Sequence, residues 1–110
     1  MSQERDEAIY QKMDDLGAKY AEAKANRVHL HEFRKSKKAI LMKQFESKYP
    51  SAAAQEREAY AHDEYVELLE GLKAATEIEE LAKNKLEIIK MQFEAWRSKK
   101  ATERTEMGLR

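Results

Sequence analysis

Residues 47–51 read S-K-Y-P-S and contain the only proline of the 110-residue chain. Proline disfavours helical backbone at the residue before it, here Tyr49, and is tolerated at the start of a helix. Ser51 can cap the helix that follows, because a serine hydroxyl accepts a hydrogen bond from a free N–H of the first turn. The stretch therefore predicts one helix that ends before Pro50 and another that begins after it.

Both sides of this turn carry apolar residues at alternating steps of four and three, the spacing of a coiled-coil seam. The first row is Ile9, Met13, Leu16, Tyr20 and Ala23, and it continues at the same spacing through Arg27, Leu30, Arg34, Lys37 and Leu41. The second row is Ala54, Glu58, Ala61, Tyr65, Leu68, Leu72, Ala75, Glu79, Ala82, Leu86, Ile89, Phe93 and Trp96. We predict helix 1 at about residues 3–48, a turn at about 49–51 and helix 2 at about 52–104.

The composition agrees with long helices, because the chain has three glycines and one proline, while 38% of its residues are charged. A short loop between long helices places them antiparallel. We therefore predict an all-α fold, a long antiparallel two-helix hairpin similar to a coiled coil, with residues 1–110 as a single domain. Should one helix break and fold back as a third element, Gly17 or Gly71 is the expected place.

Charge is segregated along the chain into four blocks. Residues 27–49 carry seven bases and two acids, and residues 50–80 carry nine acids and two bases. Residues 1–26 carry six acids and four bases, and residues 81–110 carry eight bases and four acids. A hairpin at Pro50 places opposite signs side by side, so we expect the basic run after residue 26 to be largely matched within the chain. The candidate partners are Glu58, Glu64, Glu67, Glu70 and Glu79.

Two helices in contact along one seam bury little apolar surface for a chain of this length. Leu69, Leu81 and Ile88 form a shoulder that should widen the second row. Several apolar side chains outside the rows should nevertheless stay exposed on a lone hairpin. This predicts a helical homo-oligomer or docking onto a protein partner. The candidate interface residues are Phe33, Ile40, Phe45, Leu69, Leu81 and Ile88.

Enzymatic and membrane functions are disfavoured. The chain has no cysteine, so thiolate chemistry, disulfides and cysteine-based zinc sites are excluded. His29 and His31 are two residues apart and point to different sides of a helix, and no glycine-rich phosphate loop is present. We predict no catalytic residue, metal site or cofactor. No apolar run approaches the roughly 20 residues that span a membrane, and a cytoplasmic location is expected.

Two basic segments are candidates for nucleic-acid contact. The 21 basic and 21 acidic residues cancel, so any attraction to phosphate must be local. In the first segment the candidates are Arg34, Lys35, Lys37 and Lys38, although pairing with the acidic block is favoured over phosphate binding as the role of these charges. The second segment, residues 96–104, reads W-R-S-K-K-A-T-E-R and faces only the weakly acidic N-terminal block. Its candidates are Arg97, Lys99 and Lys100, which makes it the better of the two, while Trp96 is expected to pack in the seam.

Three stretches carry a resemblance to known proteins. They are E-F-R-K-S-K-K-A-I-L-M-K (32–43), A-A-Q-E-R-E-A-Y-A-H-D-E-Y (53–65) and A-W-R-S (95–98). With their spacing, they resemble a family of small uncharacterised helical proteins encoded by tailed bacteriophages and prophages. The resemblance implies an accessory role in DNA replication or recombination in a bacterial host cell, and it supplies no catalytic residues.

Two functional hypotheses follow. In the first, a non-enzymatic, oligomeric accessory protein contacts single- or double-stranded DNA, or a DNA-bound protein, through the basic segments. In the second, the chain is purely a protein–protein interaction module, such as an adaptor, an inhibitor of a host protein or an assembly chaperone, and the exposed apolar residues form its interface.

Overall fold

The computed structural model describes residues 2–108, and every regular element in that range is helical. The helices are α1 (Ser2–Gln44), α2 (Ala52–Ala61) and α3 (Asp63–Gly108). The predicted all-α class and hairpin arrangement are therefore confirmed. Gly17 and Gly71 both lie inside uninterrupted helices, so neither is the site of a break.

The turn around Pro50 is longer than predicted, because α1 ends at Gln44 rather than near residue 48. The N–H groups of Lys48 and Tyr49 both donate to the carbonyl oxygen of Phe45, at 3.1 and 2.9 Å. The chain therefore leaves the α-helix through short turns before Tyr49, the residue at which Pro50 disfavours helical backbone. Ser51 then caps α2, since its Oγ accepts a hydrogen bond from the Ala54 N–H at 3.1 Å.

The second predicted helix is wrong in one respect, because it is divided at His62 into α2 and α3. His62 has extended backbone, with φ −67° and ψ 138°, and its N–H donates to the Ala59 carbonyl. Its side-chain Nδ1 accepts a hydrogen bond from the Glu64 N–H at 3.1 Å. The imidazole therefore caps the start of α3, where the acidic Asp63 and Glu64 also suit the positive end of the helix dipole.

Contacts divide the chain into two compact units. Unit 1 takes in the chain up to Ala21 and from Glu80 onward, and unit 2 spans Glu22–Glu79. Within each unit, a stretch of α1 lies antiparallel to a stretch of α3. The contact of Lys37 with Glu64 shows the register of the two helices in unit 2. The ring of Tyr10 beside that of Phe93 shows it in unit 1.

The core of unit 2 lies where the three helices meet near the turn. Leu41 and Ala59 are completely buried and Tyr65 is 6% exposed, and Met42 packs against them. Ala61, which the predicted second row places in the seam, is exposed instead. The break at His62 explains the change, because it rotates the face of α2 so that Ala59 is buried in place of Ala61.

Unit 1 has a smaller core with aromatic side chains at its end. Ile89 and Phe93 are 8% and 6% exposed. The ring centroid of Phe93 lies 5.0 Å from that of Tyr10 and 6.0 Å from that of Trp96. Ile89, Phe93 and Trp96 are all members of the predicted row, so the heptad spacing identifies the buried face of α3 in this unit.

The predicted shoulder does not widen the seam. Leu69, Leu81 and Ile88 are 40%, 56% and 49% exposed, because they lie outside the face of α3 that packs on α1. Phe33 and Ile40 on α1 are also exposed, at 39% and 48%.

Phe45 differs from the other candidate interface residues, since it is half-buried in the turn. Its ring lies 5.8 Å from that of Tyr49 and 6.0 Å from that of His62.

Candidate nucleic-acid interface

The first basic segment of α1 lies against acidic residues of α2 and α3 in unit 2. Lys37 Nζ is 2.7 Å from Glu64 Oε2, and Lys38 Nζ is 3.4 Å from Glu56 Oε2. The Lys37 and Lys38 side chains are only 21% and 30% exposed. Two of the four candidate phosphate ligands in this segment are thus already bound to carboxylates of the same unit.

These contacts shift the pKa values of Glu64 and Lys38. The hydrogen bond from Lys37, together with its charge, lowers the pKa of Glu64 below its ordinary value. Hydrogen bonding to Tyr60 and, after it, to the Glu56 carboxylate raises the pKa of Lys38, whose Nζ also lies 5.0 Å from the centre of the Tyr60 ring. Both shifts favour the charged forms, so the ion pairs persist around neutral pH.

The other two residues of this segment are arranged differently. Lys35 is 74% exposed, and its Nζ is 3.9 Å from Glu32 on the same helix, a long surface contact. Arg34 is half-buried and forms no ion pair with any of residues 2–108. Only Lys35 therefore presents a largely accessible charge to a phosphate.

A further ion pair of unit 2 joins a seam position of α1 to a seam position of α3. Arg27 donates two hydrogen bonds to the Glu79 carboxylate, Nε to Oε2 at 2.6 Å and Nη2 to Oε1 at 3.1 Å. Glu79 is buried and the Arg27 side chain is 31% exposed. Because both residues occupy seam positions, a shift of one helix along the other would leave this carboxylate buried without its partner.

The predicted acidic partners are only partly those that the structure uses. Glu64 and Glu79 form pairs across the helices, and Glu56, which was not among the candidates, does so as well. Glu58 lies 3.9 Å from its neighbour Arg57. The remaining two, Glu67 and Glu70, make no ion pair within residues 2–108.

The second basic segment, in unit 1, forms no ion pair with another helix within the part of the chain that the structure describes. We call Arg97, Lys99, Lys100 and Arg104 the C-terminal basic cluster. Arg97 is 62% exposed, and its nearest carboxylate is Glu94 on the same helix, at 4.0 Å. Lys99 and Arg104 are exposed and Lys100 is half-buried. In the described part of α1, no acidic residue forms an ion pair with this cluster.

Aromatic rings lie directly beside these cations. The guanidinium of Arg97 is 5.8 Å from the centre of the Phe93 ring, and Lys100 Nζ is 5.9 Å from the centre of the Trp96 ring. The two rings are nearly parallel, at 25°. Stacking surfaces interleaved with positive charge are the combination that single-stranded nucleic-acid sites use.

A groove of about 660 Å³ lies between the two helices of unit 1. It lies at the end of the seam, where the seam positions become charged. On α3 the heptad spacing continues beyond Trp96 to Lys100, Glu103 and Met107, and on α1 it extends back from Ile9 to Asp6. Charged residues thus occupy three of these four positions, and all four residues line the groove. The groove is lined by Asp6, Tyr10, Phe93, Trp96, Arg97, Lys100, Ala101, Glu103, Arg104 and Met107.

The sequence-based candidates therefore included only part of this surface. Arg97 and Lys100 line the groove and Lys99 lies outside its lining. Asp6, Tyr10 and Arg104 were missed. A signal for three groove residues was present in the sequence, since Asp6, Lys100 and Glu103 continue the heptad rows with charged side chains.

Within residues 2–108, no group of three histidine or acidic side chains is placed to hold a metal ion. None of the described helices contains an apolar stretch long enough to cross a membrane. Comparisons with protein-family models, curated proteins and solved structures gave no match for this chain.

Proposed function

We propose that this chain is a non-enzymatic nucleic-acid-binding accessory protein that contacts its ligand through the C-terminal basic cluster of unit 1. The observation that carries the proposal is that, among residues 2–108, these cations form no ion pair across the helices, whereas Lys37 and Lys38 do. A cation already bound to a carboxylate must give up that contact to bind a phosphate, and an unpaired one releases only solvent counterions.

The aromatic rings support single-stranded nucleic acid as the main ligand. Trp96 and Tyr10, which keep exposed ring surface, lie among the cations of the groove, and a base stacked on such a ring contributes about 1–3 kcal/mol without regard to sequence. Duplex DNA keeps its bases stacked internally, so it would use the cations alone. Among the first segment, Lys35 is the residue best placed to add a phosphate contact.

The resemblance to helical proteins of tailed bacteriophages gives this binding a context. We propose that the protein assists DNA replication or recombination in the cytoplasm of a bacterial host cell, as a homo-oligomer or together with a DNA-bound protein. Exposed apolar residues on both long helices, Phe33, Ile40, Leu69, Leu81 and Ile88, would supply the surface for assembly.

A salt series with a charge-matched control tests the proposal. The affinity for a single-stranded oligonucleotide should fall steeply between about 50 and 200 mM salt, because each phosphate contact releases counterions. Replacing Arg97, Lys99 and Lys100 together by glutamine should lower the affinity and reduce the slope of log K against log salt by about 2, at roughly 0.7 for each contact.

The control variant replaces Lys83, Lys85 and Lys90, which are exposed on the same helix outside the groove. It removes the same three charges, so a loss that depends on net charge alone would appear in both variants. Equal losses in the two triple variants, or no binding by the unaltered protein at 50 mM salt, would contradict the proposal.

The second candidate function, a protein–protein interaction module without nucleic-acid binding, is favoured by the exposed apolar residues. Leu81 and Ile88 lie seven residues apart on α3 and are both about half exposed, so they share one side of that helix. Replacing both by glutamate should reduce the molar mass measured by sedimentation if this face joins copies of the chain. An unchanged monomeric mass before and after the substitution would argue against assembly through it.

A further inference from the structure

Two carboxylates, those of Asp6 and Glu103, line the groove of unit 1 and have no role in phosphate binding. Asp6 lines the groove together with three cations, Arg97, Lys100 and Arg104. Its Oδ1 is buried and accepts no hydrogen bond from any of residues 2–108. A buried polar atom is normally hydrogen-bonded, so this oxygen favours a ligand that brings a donor.

The groove thus presents three different binding chemistries within one unit. Its cations attract a negative charge, and its rings offer a face to a planar group. Tyr10 remains 53% exposed and Trp96 is half-buried, so both rings have surface left uncovered. Asp6 requires a hydrogen-bond donor and repels a bare phosphate. A ligand that satisfies all three has a planar ring, an attached phosphate and N–H groups on the ring edge.

We propose that this groove binds one unpaired guanine of a single strand. The ring stacks beside Trp96, the flanking phosphates contact Arg97 and Lys100, and the N1–H and 2-amino groups donate to the Asp6 carboxylate. Guanine is favoured because its Watson–Crick edge carries two adjacent donors, which match the acceptor oxygens of a carboxylate. In a duplex the same edge is paired with cytosine, so the site requires a single strand. The inference rests on the proposed nucleic-acid binding and adds a base preference to it.

The test uses the full chain and three single-stranded probes. These are an oligothymidylate of nine nucleotides, the same strand with one central guanine, and the same strand with central inosine, which lacks only the 2-amino group. Trp96 is the only tryptophan of the protein, so quenching of its fluorescence reports on the groove itself. We expect the guanine probe to bind roughly tenfold more tightly than the inosine probe, as one hydrogen bond to a charged group contributes.

A variant of Asp6 assigns this preference to a residue. In Asp6→Asn, one acceptor oxygen becomes a donor group, and the ratio of the guanine and inosine affinities should fall to about one. The ratio compares two probes on the same protein, so changes in folding or in net charge cancel. Glu7→Gln is the matched control, since Glu7 is an exposed neighbour that carries the same charge, and its ratio should equal that of the unaltered protein.

The possible failures are distinguishable. If the three probes bind the unaltered protein equally well, the guanine site is overturned while the proposed nucleic-acid binding stands. If the preference persists in Asp6→Asn, the role of this carboxylate is overturned. If no probe binds at 50 mM salt, the proposed function fails and the guanine site fails with it.

Discussion

The two units of this protein use the same heptad spacing but differ in where their charges lie. In unit 2, cations of α1 are held by carboxylates of the other helices, in the pairs Arg27–Glu79, Lys37–Glu64 and Lys38–Glu56. In unit 1, the described cations of α3 have no ion pair with α1, and they lie beside aromatic rings instead. Charge in unit 2 is therefore paired between helices, whereas the described cations of α3 in unit 1 are not paired with α1.

This difference shows that a basic run in a sequence does not by itself predict phosphate binding, because the residues of the partner helix decide whether its charges are already paired. The run at Arg34–Lys38 is the denser of the two, yet two of its lysines are largely covered by contacts within the unit. The C-terminal basic cluster is less conspicuous, but its Arg97 remains 62% exposed. Accessibility and pairing, which depend on the partner helix, decide which segment can bind phosphate.

The largest expected effect tests whether unit 2 carries the main packing contact of the fold. Leu41→Ala removes a fully buried side chain and should lower the free energy of unfolding by about 2–5 kcal/mol. Ile40→Ala is the matched control, because Ile40 is the preceding residue and is 48% exposed. It should cost less than about 1 kcal/mol. Urea denaturation followed by circular dichroism measures both, and equal losses would contradict the assigned core.

The next effect tests the ion pair between the seams of unit 2. Glu79→Gln leaves the partly buried Arg27 without its carboxylate and should cost about 2 kcal/mol of unfolding free energy, less than for a fully buried pair. Glu80→Gln is the control, since Glu80 is exposed and should change stability by less than about 0.5 kcal/mol. Replacing Arg27 by methionine and Glu79 by leucine together should restore much of the loss. If the two glutamine variants are equally stable, this pair does not hold the register.

A smaller effect on stability is expected when the basic residues of the two units are replaced and compared. Replacing Arg97, Lys99 and Lys100 by glutamine should change the free energy of unfolding by less than about 0.5 kcal/mol, because their charges form no ion pair across the helices among the described residues. Replacing Lys37 and Lys38 by glutamine should lower stability, because two carboxylates lose their contacts. Thermal unfolding of both variants at low salt makes the comparison. A greater loss from the C-terminal variant would reverse the roles assigned to the two units.

The sequence predicted the fold closely because its strongest signals are local or periodic. Pro50 and Ser51 place the turn through backbone sterics and capping, and the structure has both. The seam positions follow from helix geometry alone, and most of them are buried or half-buried. The break at His62 was missed because histidine is an ordinary helix residue. Its role as a cap depends on the hydrogen bond that its Nδ1 accepts from the Glu64 N–H, which the residue type alone does not predict.

The candidate site was predictable in its charges but not in its shape. The residues Arg97, Lys99 and Lys100 followed from a basic stretch next to a tryptophan. Asp6 and Tyr10 lie more than eighty residues earlier in the sequence, and they belong to the same groove only because the chain folds back. A heptad row that continues with charged residues does not by itself tell whether the side chains pair across the seam, as Arg27 and Glu79 do, or line an open groove, as Asp6 and Lys100 do.

The smallest expected effect is a change of protonation at the Lys37–Glu64 pair of unit 2. Lys37 lowers the pKa of Glu64, so the pair stabilises the fold above the ordinary pKa of a glutamate, and this contribution is lost as the pH falls through the lowered value. In Lys37→Gln the pKa of Glu64 should rise toward its ordinary range, as a titration of the side-chain carboxyl carbon by NMR would show. Lys35→Gln, two residues away and in contact with Glu32 instead, should leave the Glu64 titration unchanged. An identical Glu64 titration in both variants would mean that Lys37 is not bound to this carboxylate in solution, and the first basic segment would then be as available to phosphate as the C-terminal basic cluster.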